Sequence, residues 1–261
     1  MERSLWTAAT GMAVQQTNMD VIAHNLANVN TTAFKKTRAE FQDLLYQTIN
    51  APGTASSAST NLPAGIQIGL GARTAAVKRL FLQGDFRPTD NPFDLVIEGD
   101  GFFRLTRPDG TAVYTRDGAF TTDENGNLVN ALGYALDPPL TIPQDAKGLT
   151  VGRDGTVSVR LSDETVSQIG NIELASFINP AGLQAIGGNM FVATVASGDE
   201  IIGTPGQDGL GEIGQGFLET SNVSIVTELV DMISAQRAYE LNSRSVRASD
   251  EMLRSLAQLV R

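Results

Sequence analysis

Residues 221–261 read SNVSIVTELVDMISAQRAYELNSRSVRASDEMLRSLAQLVR, and this stretch decides the fold. It contains neither Gly nor Pro, and Ile225, Met232, Tyr239, Val246, Leu253 and Val260 fall seven residues apart. A seven-residue apolar period places one side chain every second turn on the same helix face. Ser221 and Asn222 stand where a helix N-cap belongs, and arginines gather toward the other end, where they complement the helix dipole. The spacing therefore predicts one long C-terminal heptad helix over residues 222–261. Its companion series, Leu229, Gln236, Ser243 and Asp250, is mostly polar. A permanent two-stranded coiled coil tolerates that poorly, so the helix is expected to need several neighbours.

The opposite end carries the same signal. Leu5, Met12, Met19 and Leu26 form one heptad series, and Ala8, Gln15, Ile22 and Val29 a second. Residues 1–30 are expected to form an N-terminal heptad helix, weakened by Gly11 and ended at Asn30, Thr31 and Thr32, whose side chains compete for the backbone. One shared and incompletely apolar seam returns little burial for the entropy of ordering two long helices. The ends are accordingly expected to order when several copies bury them together.

Between the helices the character changes twice. Residues 31–79 include an Ala/Ser/Thr-rich run with Pro52 and Gly53, followed by Leu62, Pro63, Gly65, Ile66, Ile68 and Gly69. That composition predicts an extended linker, too apolar to be a solvated tether. From residue 80 to 221 short β-rich runs such as Asp94-Leu95-Val96-Ile97 and Thr156-Val157-Ser158-Val159 alternate with turn pairs. The pairs Asp100-Gly101, Asp109-Gly110, Asp117-Gly118 and Asn125-Gly126 recur at eight- or nine-residue spacing and suggest successive hairpins, with Asp154-Gly155 a further turn. The expected fold class is α+β: long terminal helices pairing as a coiled coil, an extended linker, and an inserted all-β outer domain.

Composition excludes several functions. The 261 residues carry a formal charge of −10, from 19 basic and 29 acidic residues, which disfavours nucleic acid and anionic membrane surfaces as partners. From Val223 onward five acids balance five arginines, so the middle of the chain holds the excess. No cysteine is present, which removes disulfides, thiolate metal sites and cysteine nucleophiles. The N-terminus lacks the basic, apolar and small-residue segments of a cleaved secretory signal, and no apolar run reaches the roughly 20 residues needed to span a bilayer.

Possible chemical sites fare poorly. His24 is the single histidine and has no partner set for a metal site or a triad. Gly209, Gly211 and Gly214 match G-x-G-x-x-G, but no βαβ unit surrounds them, and they suit a flexible approach to the last helix. Asp123-Glu124-Asn125-Gly126-Asn127 has its glycine too early for a calcium loop and suits a hairpin turn. Asp94, Glu98 and Asp100 suggest a polar strand rim more than a hydrolase pair. No cofactor, metal or catalytic residue is expected.

Residues 23–36, AHNLANVNTTAFKK, resemble the N-terminal signature of the flagellar basal-body rod and hook family, carried by Asn25, Leu26, Ala27, Asn28 and Phe34. His24 stands where that family usually has Asn, and Ala33 where it usually has Gly. The likeness continues through Gly84, Thr89, Asn91, Asp94-Leu95, Ile97, Gly99 and Gly101-Phe102-Phe103, then Tyr114-Thr115-Arg116-Asp117-Gly118. It closes with Gln215-Gly216, Glu219, Ser221-Asn222-Val223 and Gln236-Arg237-Ala238-Tyr239-Glu240. Within the family, Asp43-Leu44-Leu45-Tyr46-Gln47-Thr48-Ile49 and Gly65-Ile66-Gln67-Ile68-Gly69 resemble the members that build the distal rod.

The resemblance implies a non-enzymatic subunit that polymerises into a straight helical tube around the export channel and transmits torque from motor to hook. It further implies export by the flagellar type III apparatus and passage of the rod through the periplasm. Implied partners are other copies of the chain, proximal rod proteins, the hook protein, and the P- and L-ring proteins. The inner, assembling surface would comprise Leu5, Met12, Met19, Leu26, Ile225, Met232, Tyr239, Val246 and Leu253.

Overall fold

The computed structural model describes residues 2–51, 55–57, 60–61 and 64–259, so the expectations placed on Pro52, Gly53, Leu62, Pro63 and Val260 lie outside the described residues. The chain divides into two compact units. One comprises Met1–Ala27, Thr37–Arg79 and Ser224–Arg261, and the other Asn28–Lys36 with Leu80–Val223.

The first unit begins with α1 (Glu2–Ala27). Its next elements are β1 (Thr37–Asp43), β2 (Tyr46–Asn50), β3 (Ala55–Ser57), β4 (Thr60–Asn61), β5 (Ile66–Gly69) and β6 (Ala72–Arg79). β1 pairs antiparallel with β6, β2 with β5 and β3 with β4, and Leu44 N–H to Gly71 C=O (2.8 Å) and Leu70 N–H to Leu45 C=O (3.2 Å) join the first two pairs. Among the described residues between Thr37 and Arg79, the expected extended linker is thus a two-stranded antiparallel ribbon. β-branched and aromatic residues (Thr37, Phe41, Tyr46, Thr48, Ile66, Ile68, Thr74, Val77) favour the pleated conformation, and each strand satisfies its backbone on the other.

In the second unit the strands are β7 (Phe86–Pro88), β8 (Leu95–Glu98), β9 (Phe102–Thr106), β10 (Ala112–Thr115), β11 (Thr121–Thr122), β12 (Leu128–Val129) and β13 (Ala135–Leu136). Then come β14 (Ala146–Val151), β15 (Thr156–Leu161), β16 (Val166–Asn171), β17 (Leu174–Ser176), β18 (Gln184–Gly187), β19 (Met190–Val192), β20 (Ile201–Gly203), β21 (Glu212–Gln215) and β22 (Phe217–Glu219). Nine of them form one sheet, in the order β11-β12-β13-β9-β10-β19-β18 with β17 attached at β9 and β20 at β17; β14-β15-β16 form a second. α2 (Ile225–Leu259) closes the chain in the first unit.

Alternation along the nine-stranded sheet fills both of its faces. Phe103, Leu105, Val113, Leu174 and Met190 join the main core with Val157 and Val159 of the three-stranded sheet. Their neighbours Phe102, Tyr114, Ala175 and Phe191 form a second, aromatic cluster on the other face. There the rings meet edge to face, as in Tyr114–Phe177 (centroids 4.8 Å) and Phe81–Phe102 (5.4 Å). Leu95, Val96 and Ile97 are all buried, so β8 is a covered strand rather than the half-buried one its sequence suggests.

The turn pairs divide. Asp109-Gly110, Asn125-Gly126 and Asp154-Gly155 close the β9–β10, β11–β12 and β14–β15 hairpins, each with glycine at positive φ. The other two make no hairpin: around Asp100-Gly101, β8 pairs with β21 rather than β9, and around Asp117-Gly118, β10 pairs with β9 and β19 rather than β11. At Gly118 a Cβ would lie 1.7 Å from the Leu95 carbonyl oxygen, so that glycine permits a backbone crossing. Gly211 and Gly214, read as part of a flexible approach, belong to the β8–β21 contact. A Cβ at Gly211 would stand 2.6 Å from Glu98 O, and one at Gly214 2.9 Å from a Val96 methyl.

Candidate assembly interface

The two terminal helices touch within the first unit, but they do not form the expected coiled coil. Buried on α1 are Ala8, Val14, Ile22 and Asn25; buried on α2 are Glu228, Ala235 and Ser249. The enclosed seam is therefore small or polar on the α2 side, and it lies one residue away from the companion series Leu229, Gln236, Ser243. Ser4 and Ser249 hydroxyls meet across it at 3.3 Å, and a Cβ on Gly11 would come within 2.9 Å of the Asn242 amide. Gly11, which costs helix propensity, lets the helices approach. A second face of α1 is occupied by the ribbon. Thr10 Oγ1 accepts from Ala72 N–H at 3.4 Å, beside Gly71, whose φ of +117° only glycine adopts easily. A helix shared between a partner helix and a ribbon cannot offer the regular knobs-into-holes seam of a coiled coil. α1 runs unbroken over Glu2–Ala27 and α2 over Ile225–Leu259.

The signature residue Asn25 is the clamp of this unit. Its Oδ1 accepts from the Thr37 N–H (2.9 Å) and hydroxyl (3.0 Å), and its Nδ2 donates to the Thr37 carbonyl (2.8 Å) and Glu228 Oε2 (3.2 Å). One buried amide thus fixes α1, the start of the ribbon and the first turn of α2. The helix begins two residues later than its sequence suggests: Ser224 C=O accepts from Glu228 N–H at 3.0 Å. Asn222, read as a cap, instead receives the Lys36 N–H on Oδ1 (2.7 Å) and donates to Leu80 and Leu82 carbonyls (3.1 and 2.9 Å), all in the second unit.

None of the nine residues expected to assemble is sealed. Leu5, Met12, Met19, Leu26, Met232 and Val246 are half-buried, while Ile225, Tyr239 and Leu253 are 48%, 37% and 36% exposed. Beside them runs a stripe of which the sequence reading singled out only Leu229. Val226 (73%), Leu229 (43%), Val230 (60%) and Ile233 (50%) lie at i, i+3, i+4 and i+7 on the first half of α2. The signal was present as a second apolar period overlapping the heptad series, and only the position of Glu228 in the seam shows which face is left outside. Trp6 of α1 is likewise 66% exposed.

A buried ionic node orders the second unit. Glu219 accepts from Lys35 Nζ (2.5 Å) and Gly84 N–H (2.8 Å) on Oε1 and from Arg116 Nε (3.0 Å) on Oε2, with all three charged side chains almost fully enclosed. Lys35 also donates to Leu82 C=O (2.8 Å), and Arg116 to the carbonyls of Gly101 (3.0 Å), Gly99 (2.8 Å) and Ile97 (3.3 Å). Burial, reinforced by Arg116, holds the Lys35 ammonium below the usual lysine range against the pull of Glu219. The Phe34-Lys35, Tyr114-Thr115-Arg116 and Glu219 stretches that carry the family likeness therefore meet at one point. Ala33 precedes this node at φ +55°, the left-handed conformation that explains a glycine preference there.

Among the described residues the candidate carboxylates sit in different surroundings. Asp94 is buried and receives Asn91 Nδ2 at 2.9 Å, whereas Glu98 is exposed. Asp123 Oδ1 accepts from Asn125 and Asn127 N–H groups (2.9 and 2.7 Å), the hairpin turn expected there. Among the described residues no group of three or more His, Cys, Asp or Glu could hold a metal ion, and no helix is long and apolar enough to cross a membrane.

A β-rich unit, and a helix pair whose apolar faces are left open, are features of a structural subunit rather than of a catalyst's pocket. Three family models match in chain order: "Flagella basal body rod protein" over residues 5–35, "Flagellar hook protein FlgE/F/G D1 domain" over 96–159 and "Flagellar basal body rod FlgEFG protein C-terminal" over 215–259. The flagellar basal-body rod protein FlgG of Borreliella burgdorferi is 51% identical over 257 residues, covering 97% of each chain. Those of Caulobacter vibrioides (46%, covering 98% of this chain and 99% of its own) and Bacillus subtilis (40%, covering all of both) are similar over the same length. The chain belongs to the flagellar basal-body rod protein family and is a structural subunit of the distal rod.

Proposed function

We propose that this subunit self-assembles through the open apolar surface of its helix pair into a straight helical tube that carries torque from motor to hook and encloses the export channel. The observation that carries the reading is the exposed stripe Val226, Leu229, Val230 and Ile233 on α2, on the same helix pair as the half-buried Leu5, Met12, Met19, Leu26, Met232 and Val246 and the exposed Ile225, Tyr239 and Leu253. Apolar area of this kind is stabilised only by a partner surface, at roughly 25 cal/mol per Å² removed from water. A surface that meets a different surface of the next copy generates an open helix rather than a closed ring. Heterologous packing of the helix pair is therefore sufficient to build a tube without any bond-making step.

On this reading the ribbon built by β1, β2, β5 and β6 sets stiffness, the rod crosses the periplasm, and the subunit is exported through the type III apparatus. Its neighbours are its own copies, proximal rod proteins, the hook protein and the P- and L-ring proteins. It carries out no reaction of its own.

Replacing Val230 and Ile233, or Met232 and Val246, with Asp tests the assignment. A carboxylate buried without a partner costs several kcal/mol, more than the roughly 1.5–3 kcal/mol an apolar side chain returns. Electron microscopy of the concentrated variants is expected to show no tubes while circular dichroism keeps the β signal. Straight tubes or normal motility from both variants overturns the reading.

A further inference from the structure

The chain has no cysteine and six methionines, so methionine is its only sulfur chemistry. Beyond Met1 they are placed unequally. Met190 is enclosed in the main core at 4% exposure, with Asn130 Nδ2 donating toward its sulfur at 3.6 Å. The other four, Met12 and Met19 on α1 and Met232 and Met252 on α2, all lie on the helix pair; three are half-buried and Met252 is 50% exposed. We propose that these four thioethers are a peroxide modification site, and that their oxidation in the free subunit prevents its incorporation into the polymer.

The step balances without any group from the protein. A thioether lone pair attacks one oxygen of hydrogen peroxide, the S–O bond forms as the O–O bond breaks, and the departing hydroxide takes the proton of the transferred oxygen to leave as water. Sulfur is oxidised by two electrons and the peroxide is reduced. The product sulfoxide is polar and accepts hydrogen bonds, so it opposes burial at an apolar helix contact. A dithiol-dependent sulfoxide reductase reverses it, giving thioether and water as its dithiol becomes a disulfide. The modification is thus reversible, and it discriminates by state: the sulfurs are reachable before assembly and enclosed after it. This consequence rests on the helix pair being the assembling surface.

The experiment treats the purified full chain with hydrogen peroxide, maps sulfoxide by peptide mass spectrometry, and measures sedimentable polymer before treatment, after it, and after sulfoxide reductase. Met252 is expected to oxidise first, Met12, Met19 and Met232 next, and Met190 last. Sedimentable polymer should fall roughly tenfold or more and return on reduction. In a chain carrying Met12→Leu, Met19→Leu, Met232→Leu and Met252→Leu, the fraction of polymer measured before treatment, whatever its amount, should be unchanged by peroxide. Oxidation of Met190 as fast as the helix methionines, undiminished polymer from the oxidised chain, or equal loss in the leucine variant overturns the proposal. If the untreated chain makes no polymer, the functional reading fails and takes the assembly consequence with it, while the order of oxidation still decides whether the site exists.

Discussion

Replacing Glu219 with Gln probes the buried node most directly. The side chain keeps its shape but loses the carboxylate that touches both Lys35 Nζ and Arg116 Nε, leaving two enclosed cations side by side. Removing one partner of a buried ion pair costs about 3–5 kcal/mol, a large share of the roughly 5–15 kcal/mol that stabilises a whole domain. For a unit of this size that corresponds to a melting temperature lower by roughly 6–20 °C. Lys35→Met is expected to cost less. It leaves the Arg116–Glu219 pair intact, Gly84 N–H still satisfies Oε1, and Asn222 Nδ2 still donates to Leu82 C=O. Removing a cation that burial already disfavours also relieves its desolvation. Hydrogen exchange at Val96, Ile97, Phe103 and Leu105 reads the second unit, with protection falling on the order of 10²–10³-fold in Glu219→Gln. Trp6 lies in α1 and reports the helix pair separately. Protection within about tenfold of the parent, or a larger loss in Lys35→Met than in Glu219→Gln, would refute the role given to the anion.

Further outcomes follow from single contacts. Gly71→Ala places a Cβ 2.2 Å from Thr10 Oγ1 at a φ of +117°, so it should cost about 2 kcal/mol or more and lower the denaturant midpoint followed by Trp6 fluorescence. Asn25→Leu leaves the Thr37 N–H and carbonyl without their side-chain partner; a loss of about 2 kcal/mol is expected, seen as faster exchange of the Thr37 amide. Hydrogen bonds from the Asn127 backbone and its neighbours hold Asp123 below its ordinary 3.8, so its contribution is fully present above that pH and lost as pH falls through the lowered folded value. In Asp123→Ala the acid side of the stability–pH curve, measured by urea unfolding, should be flatter, and an unchanged slope would rule this out.

Local features were legible in the sequence because they depend on near neighbours. The seven-residue apolar period specifies helix wherever it occurs, and Asp-Gly or Asn-Gly specifies a tight turn; both ends of the chain and three of the hairpins follow from that. Asn25 and Phe34 were singled out from the resemblance, yet nothing local says that Asn25 grips Thr37 and Glu228. What faces what is a long-range matter. The ribbon requires residues 37–50 to find 66–79, β8 requires β21, and Glu219 requires Lys35, 184 residues away. Periodicity names an apolar stripe but not its occupant. Only the folded chain decided that Glu228, Ala235 and Ser249 line the closed seam while Val226, Leu229, Val230 and Ile233 stay open, because the Asn25 amide holds Glu228 against α1, one residue from the companion series Leu229, Gln236 and Ser243.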